Sequence, residues 1–316
     1  MLSLVAIFKP LLVTLAAIVA DRIFGEPHYH PLVWFGNVAN SVERRLNVRE
    51  GIGVGKGVVA LLLVVVPPVA IIALIDHQLS FSLLPSILFD IVVLWFVIGW
   101  QSLKEHARAV ATPLQQGNLS EARAQLAMIV SRDTKGMDAE KIAGSTVESV
   151  LENGHDSLFA SIFWYVLLGP AGALLHRLVN TLDAMWGYRT NRFEQFGKSA
   201  ARLDDVLGYL PARLTAVGYA VAGATQFAFR CWFEQAPIHP SPNAGVVMAA
   251  GAGAMGTRIG GPTVYQGELK DKPWLGQGEN PAATDIERSI SLIERSLRLW
   301  LILLLMMAQL KWMLSG

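Results

Sequence analysis

Four blocks of this chain gather the residue types that hold phosphate, metal or a reacting carboxylate. In ESVLENGHD, Glu148, Glu152 and Asp156 recur every four residues, which on one helix makes a single acidic stripe. Like charges at that spacing cost roughly 0.2–0.5 kcal/mol per pair. A compensating cation is therefore expected, and a hydrated Mg2+, which takes oxygen ligands and keeps several waters, is the natural candidate. A solvated face paired to lysines is the plain alternative. Upstream, SRDTKG places Arg132 and Asp133 where a periodic helix ends. The second block opens with NTLDAMWGYRTNRFEQFG, holding Asn180, Asp183, Tyr188, Arg189 and Arg192. A helix would present Asn180 and Asp183 on one side. It continues in ARLDDVLGYLPARL, where Arg202, Asp204 and Asp205 crowd together and Pro211 is read as starting a new helix that carries Arg213. Interfacial arginines with aspartate partners would explain one such pair, not this density.

The third block, SPNAGVVMAAGAGAMGTRIGGPTVYQG, contains Asn243, Arg258 and Tyr265. Gly251, Gly253 and Gly256 fit G-x-G-x-x-G, but no strand leads into them and no βαβ unit surrounds them, which argues against a dinucleotide site. The glycines are expected to allow close helix packing or to let backbone amides approach a phosphate beside Arg258. The fourth block, DRIFGEPHYHPLVWFGN, is a compact turn after the first helix. Its His28 and His30 lack an identified third ligand and read as structural. GIGVGKG at 51–57 lacks the Walker spacing and the Ser/Thr after lysine.

The elements that must position these groups are those of a membrane protein. Of 316 residues, 53% are hydrophobic and 16% charged, with a mean hydropathy of +0.41, above the apolar share of ordinary soluble domains. A net charge of +1 gives no basic excess for nucleic acid, and the single Cys231 can form neither an intrachain disulfide nor a structural zinc site. Spanning a bilayer takes about 20 apolar residues. Runs at 57–75, at 83–100 with Asp90 inside, and from Leu299 to the lysine at 311 read as spans, and 2–20 reads as an uncleaved anchor. Asp90, costly in lipid, is expected to face other helices. Arg22, Arg44, Arg45, Arg49 and Lys56 fall between the first two helices and none falls in the turn at 76–82. The positive-inside rule then places 21–56 and 101 onward in the cytoplasm. Interleaved charge at 101–156 reads as soluble helices, with Asn118 or Ser120 capping one of them. The apolar stretch 157–176 is interrupted at Leu168-Gly169-Pro170-Ala171-Gly172, which predicts a bend, read as a helical hairpin or re-entrant segment. The expected fold is all-α, a polytopic integral membrane protein with cytoplasmic helical segments. Its expected parts are membrane helices at 1–100, a cytoplasm-facing catalytic region with embedded apolar helices at 101–296, and a membrane helix at 297–316.

The combination D-x-x-x-G-x-P-x-x-H-P at 21–31, SRDT, ENxxD, NTLDxMxGY, ARLDDxLxYxPARLTA and SPNAG…GGPxxYxG, in that order over almost the whole chain, resembles the adenosylcobinamide-phosphate synthase family of cobalamin biosynthesis. The resemblance implies an ATP-dependent ligase of the bacterial inner membrane with its active site on the cytoplasmic side. It would join a carboxylate of adenosylcobyric acid to (R)-1-aminopropan-2-ol O-2-phosphate, through an acyl phosphate, with ethanolamine phosphate or the unphosphorylated amino alcohol as the open alternatives. It further implies Mg2+ as cofactor and ATP as co-substrate. On this reading Glu148, Glu152 and Asp156 serve metal, and Asp133, Asp183, Asp204 and Asp205 are catalytic. Arg132, Asn180, Tyr188, Arg202, Arg213, Asn243, Arg258 and Tyr265 bind substrate. The corrinoid is expected over a floor of Trp164, Trp186 and Tyr188. Expected partners are the two substrates and the lipid bilayer, with no nucleic acid; other enzymes of the pathway and a second copy of the chain stay open. Two rivals remain: a membrane transporter, which predicts charges within paired irregular spans, and a non-catalytic scaffold for pathway enzymes, which leaves the acid and arginine clusters idle.

Overall fold

The computed structural model describes residues 4–27, 30–48, 53–188, 190–265 and 268–315. Among the described residues twelve α-helices carry the fold, and the chain divides into two compact units. The first comprises 1–99, 156–208 and 304–316, the second 100–155 and 209–303. The expected catalytic region at 101–296 is therefore divided, because residues 156–208 pack with the N-terminal helices.

In the first unit, α1 (Leu4–Phe24) packs on α4 (Leu83–Val97), and α3 (Val54–Leu79) and α4 pack on α8 (Ala160–Trp186). The core joins Leu61, Val64 and Val65 of α3 to Leu178, Leu182 and Trp186 of α8 and to Phe196. Pro67 and Pro68 sit inside α3 without ending it. Asp90 faces other helices as expected: Lys9 Nζ lies 2.8 Å from its carboxylate and the Tyr165 hydroxyl donates to it at 2.9 Å. Helix α2 (Pro31–Leu46) starts where His30 Nδ1 accepts from the Leu32 amide, with Pro31 in the first turn.

Helix α8 is broken at Gly169, which takes φ 67° and ψ −161°, a backbone open to glycine and strained for other residues. The two arms fold against each other: a Cβ built on Gly172 would lie 2.6 Å from the Trp164 carbonyl oxygen, although eight residues of straight helix rise about 12 Å. The predicted hairpin is present, and glycine at 169 and 172 is what permits it.

In the second unit, α5 (Trp100–Gln115), α6 (Leu119–Leu126) and α7 (Ala139–Gly154) pack together. Asn118 caps α6 by accepting from the Glu121 amide at 3.2 Å, and Asp138 caps α7 by accepting from the Lys141 amide at 2.8 Å. Helix α11 (Ala244–Met255) is buried along its whole length. Its glycines serve packing, since a Cβ on Gly251 would meet the Leu151 side chain and one on Gly253 the Phe227 carbonyl. Gly256 closes α11 in the left-handed conformation. Helix α10 (Thr225–Gln235) packs on α11, and α12 (Ala283–Ser315) ends the chain. The fold is all-α as expected, and among the described residues four short strands accompany the helices. β1 (Arg258–Gly260) pairs antiparallel with β4 (Trp274–Gly276), and β2 (Thr263–Tyr265) pairs with β3 (Glu268–Lys270).

Two sequence expectations are corrected. Helix α9 (Lys198–Ala222) runs unbroken through Pro211, so Arg202, Asp204, Asp205 and Arg213 share one helix. A π-helical turn over His155–Phe159 separates α7 from α8, so Asp156 lies beyond the α-helix that carries Glu148 and Glu152. Among the described residues four helices are long and apolar enough to cross a membrane: Leu4–Phe24, Val54–Leu79, Leu83–Gln115 and Ala139–Trp186. The C-terminal apolar run from Leu299 forms the second half of α12, which is 33 residues long.

Candidate functional site

In the first unit, α8 and α9 bring together four of the predicted residues. Asn180 Nδ2 donates to Asp204 Oδ1 at 3.3 Å. Asp183 lies within electrostatic reach of Asp205, and its carboxylate rests against Gly187, where any Cβ would collide with it. Partial burial pushes the Asp205 carboxyl above the usual carboxylate range. Arg202 is exposed on α9, and Tyr188 is half exposed beyond the end of α8. Asp156 lies within electrostatic reach of Arg177, which also feels Glu26. The Arg192 guanidinium forks onto the buried Glu43 carboxylate at 2.9 and 2.7 Å. Arg189 and His28 lie outside the described residues, and His30 is occupied as the cap of α2. The expected corrinoid floor is corrected in one place: Trp186 is 1% exposed, a core residue packed edge-to-face with Phe196.

In the second unit, residues from two distant stretches, 133–148 and 258–281, line one cavity of about 290 Å³. The 133–138 loop contributes Asp133, the first turns of α7 contribute Glu140, Lys141 and Glu148, and β1 contributes Arg258. Arg132 donates to Glu148 Oε2 at 2.8 Å and to Ser145 Oγ at 3.2 Å, while the Gly260 amide donates to Glu148 Oε1 at 3.0 Å. Both oxygens of Glu148 are thus held by protein donors. Among the described residues no group of three or more His, Cys, Asp or Glu is placed to hold a metal ion.

Arg258 is fixed from two sides, donating to Asn280 Oδ1 at 3.1 Å with its guanidinium 4.4 Å from the Trp274 ring centroid. Asn280 in turn donates to Glu140 Oε2 at 3.0 Å. Neither Glu140 nor Lys141 belongs to a block singled out from sequence. The available signal was Lys141 itself, a cation in the first turn of a helix, where the macrodipole disfavours it.

Arg213 lies elsewhere in this unit. It stacks on Tyr209 at 3.5 Å and donates to the Tyr209 carbonyl, to Asn243 Oδ1 at 2.8 Å and to the Pro242 carbonyl. It borders a concavity of about 300 Å³ with Trp232, Phe233 and His239. Burial lowers the His239 pKa from its ordinary value, and its Nδ1 accepts from the Ser241 amide. Glu152 is half-buried on α7, and the Tyr265 side chain lies outside what is described.

The family model described as CobD/Cbib protein matches residues 14–293. Among similar proteins, "Cobalamin biosynthesis protein CobD" of Stutzerimonas stutzeri (strain A1501) is 49% identical, covering 92% of this chain and 95% of the relative. The protein of the same name from Chromobacterium violaceum is 44% identical over 93% and 94%. That from Mycobacterium tuberculosis (strain CDC 1551 / Oshkosh) is 36% identical over 86% and 87%. No solved structure matches the chain.

Proposed function

The chain belongs to the CobD/CbiB protein family, and from that premise we propose that it is an ATP-dependent amide ligase. The family places it in cobalamin biosynthesis. The reaction joins a carboxylate of adenosylcobyric acid to the amine of (R)-1-aminopropan-2-ol O-2-phosphate. An ionised carboxylate resists an amine because oxide is a poor leaving group. Transfer of the γ-phosphoryl of ATP to the carboxylate, releasing ADP, gives an acyl phosphate. Attack by the neutral amine then forms the amide bond and expels phosphate. Such transfer depends mainly on positioning and neutralisation of charge.

The observation that carries this reading is the cavity of the second unit, where acids and cations from two distant stretches of the chain are held in place by neighbouring side chains. Asp133 is the candidate base for the ammonium proton. Asp204 and Asp205 are the groups suited to Mg2+ arriving with the nucleotide. The donor set fits, because that ion commonly takes only one or two protein carboxylates and completes its shell with phosphate and water. It would neutralise phosphate charge there. Asn180 orients Asp204. The aromatic concavity beside Arg213 suits the apolar edge of a corrinoid.

The test is product mass and ADP release from detergent-purified protein given adenosylcobyric acid, aminopropanol phosphate and magnesium ATP, with each component omitted in turn. Amide only in the complete mixture, with ADP released in step, supports the ligase. A folded sample that makes no amide with any amino alcohol overturns it. Asp205→Asn separates a scaffold from an enzyme: the ligase loses turnover while staying folded, and a scaffold is unchanged.

A further inference from the structure

The cavity of the second unit has a charge balance that selects among the proposed substrates. Of its four acids, Glu148 is matched by Arg132 and Asp138 caps α7. Asp133 and Glu140 remain, sharing the lining with the cations Lys141 and Arg258. Two carboxylates and two cations in one lining complement a ligand bearing both signs. A purely anionic ligand would meet the carboxylates uncompensated.

Size and surface point the same way. At about 290 Å³ the cavity lies at the lower end of ligand pockets, which run from about 300 to 1,000 Å³. Its indole, Trp274, already carries the Arg258 guanidinium and has the Gly261 backbone against its six-membered ring. A nucleobase stacking there would have to displace one of them. The supports, by contrast, suit small groups. Asn280 bridges Glu140 and Arg258 and so fixes an acid and a cation at a set separation, and Asp133 Oδ1 is steadied by the Lys135 amide at 3.1 Å.

We propose that this cavity is the site of the phosphorylated amino alcohol, its phosphate held by Lys141 and Arg258 and its ammonium by Asp133 and Glu140. The proposal rests on the ligase reading and names where one of its substrates binds. It also gives the enzyme its means of preferring a phosphorylated amine to the free amino alcohol, since Lys141 and Arg258 would have nothing to bind in the latter.

The test uses full-length protein in detergent and two readouts. One is calorimetric binding of aminopropanol phosphate, with ATP as a separate probe. The other is KM for each substrate in wild type, Lys141→Gln and Lys141→Arg. Lys141 is exposed, so neither change disturbs the core. A charge-assisted hydrogen bond is worth about 1.5–3 kcal/mol, and about 1.4 kcal/mol is tenfold. Lys141→Gln is therefore expected to weaken amino alcohol phosphate binding, and to raise its KM, by about tenfold or more, with the KM for ATP unchanged and Lys141→Arg largely rescued. A rise in the KM for ATP alone, or unchanged binding in Lys141→Gln, overturns the assignment while leaving the ligase intact. Lysine-dependent binding in a wild type that forms no amide supports the site and overturns the ligase reading instead. Absence of amino alcohol phosphate binding to the wild type overturns the site.

Discussion

Glu148 and Asp205 are both half-hidden or buried acids, yet their surroundings give them opposite consequences. Glu148 is satisfied on both oxygens, and its partner Arg132 is nearly as buried, with side-chain exposures of 6% and 9%. Removing one charge strands the other, which in buried pairs costs about 3–5 kcal/mol. Glu148→Gln is expected to lower the unfolding free energy in detergent by that order, and adding Arg132→Met should recover part of it. Asp205 instead has its folded pKa raised by burial. Its contribution to stability is present below the ordinary carboxylate value of 3.8 and is lost as pH rises through the raised folded value. Asp205→Asn should therefore melt at or slightly above wild type at pH 7 while losing amide formation; a lower melting temperature would contradict this. His239 has the other sign, with a folded pKa held below 6.5 by burial. Its contribution is full above 6.5 and lost as pH falls toward the lowered value. The melting temperature of wild type should fall more between pH 7.5 and 5.5 than that of His239→Gln.

At the scale of elements, the hairpin in α8 depends on glycine at two positions for different reasons. Gly169 supplies a positive φ, and Gly172 supplies clearance against Leu168 and the Trp164 carbonyl. The φ and ψ of Gly169 lie in a region open essentially to glycine alone, which costs an L-residue about 1–3 kcal/mol, so Gly169→Ala is expected to lower stability by that amount. Gly172→Leu should cost more, since the arms must part to admit a side chain. Thermal melts of the two variants in the same detergent check the order. The interruption was legible from sequence because Leu-Gly-Pro-Ala-Gly breaks a hydropathy run locally. The continuity of α9 through Pro211 was not. Proline is a local signal for a break, and whether neighbours tolerate the lost hydrogen bond is settled by packing. The π-turn at His155–Phe159 was equally hidden, because inserting it shifts phase without changing composition.

For the molecule as a whole, four helices with the length and apolarity to span a bilayer predict that the protein stays in the membrane pellet through an alkaline carbonate wash and is released by detergent. Release by carbonate would contradict the assignment. The division into two units cuts across chain order, since α8 joins the N-terminal helices while α7, directly before it, packs with α5, α11 and β1. Hydropathy, the helix cap at Asn118, the interruption at Gly169 and the residue blocks that mark the family are properties of short stretches, and the sequence by itself determined them. Which acid meets which cation was decided only by tertiary structure. Glu148 is bound by Arg132 and by the amide of Gly260, 112 residues away, while Asn280 ties Glu140 to Arg258. Coulomb and hydrogen-bond partners act through a few ångströms of space, and no local pattern encodes which distant segments will supply them.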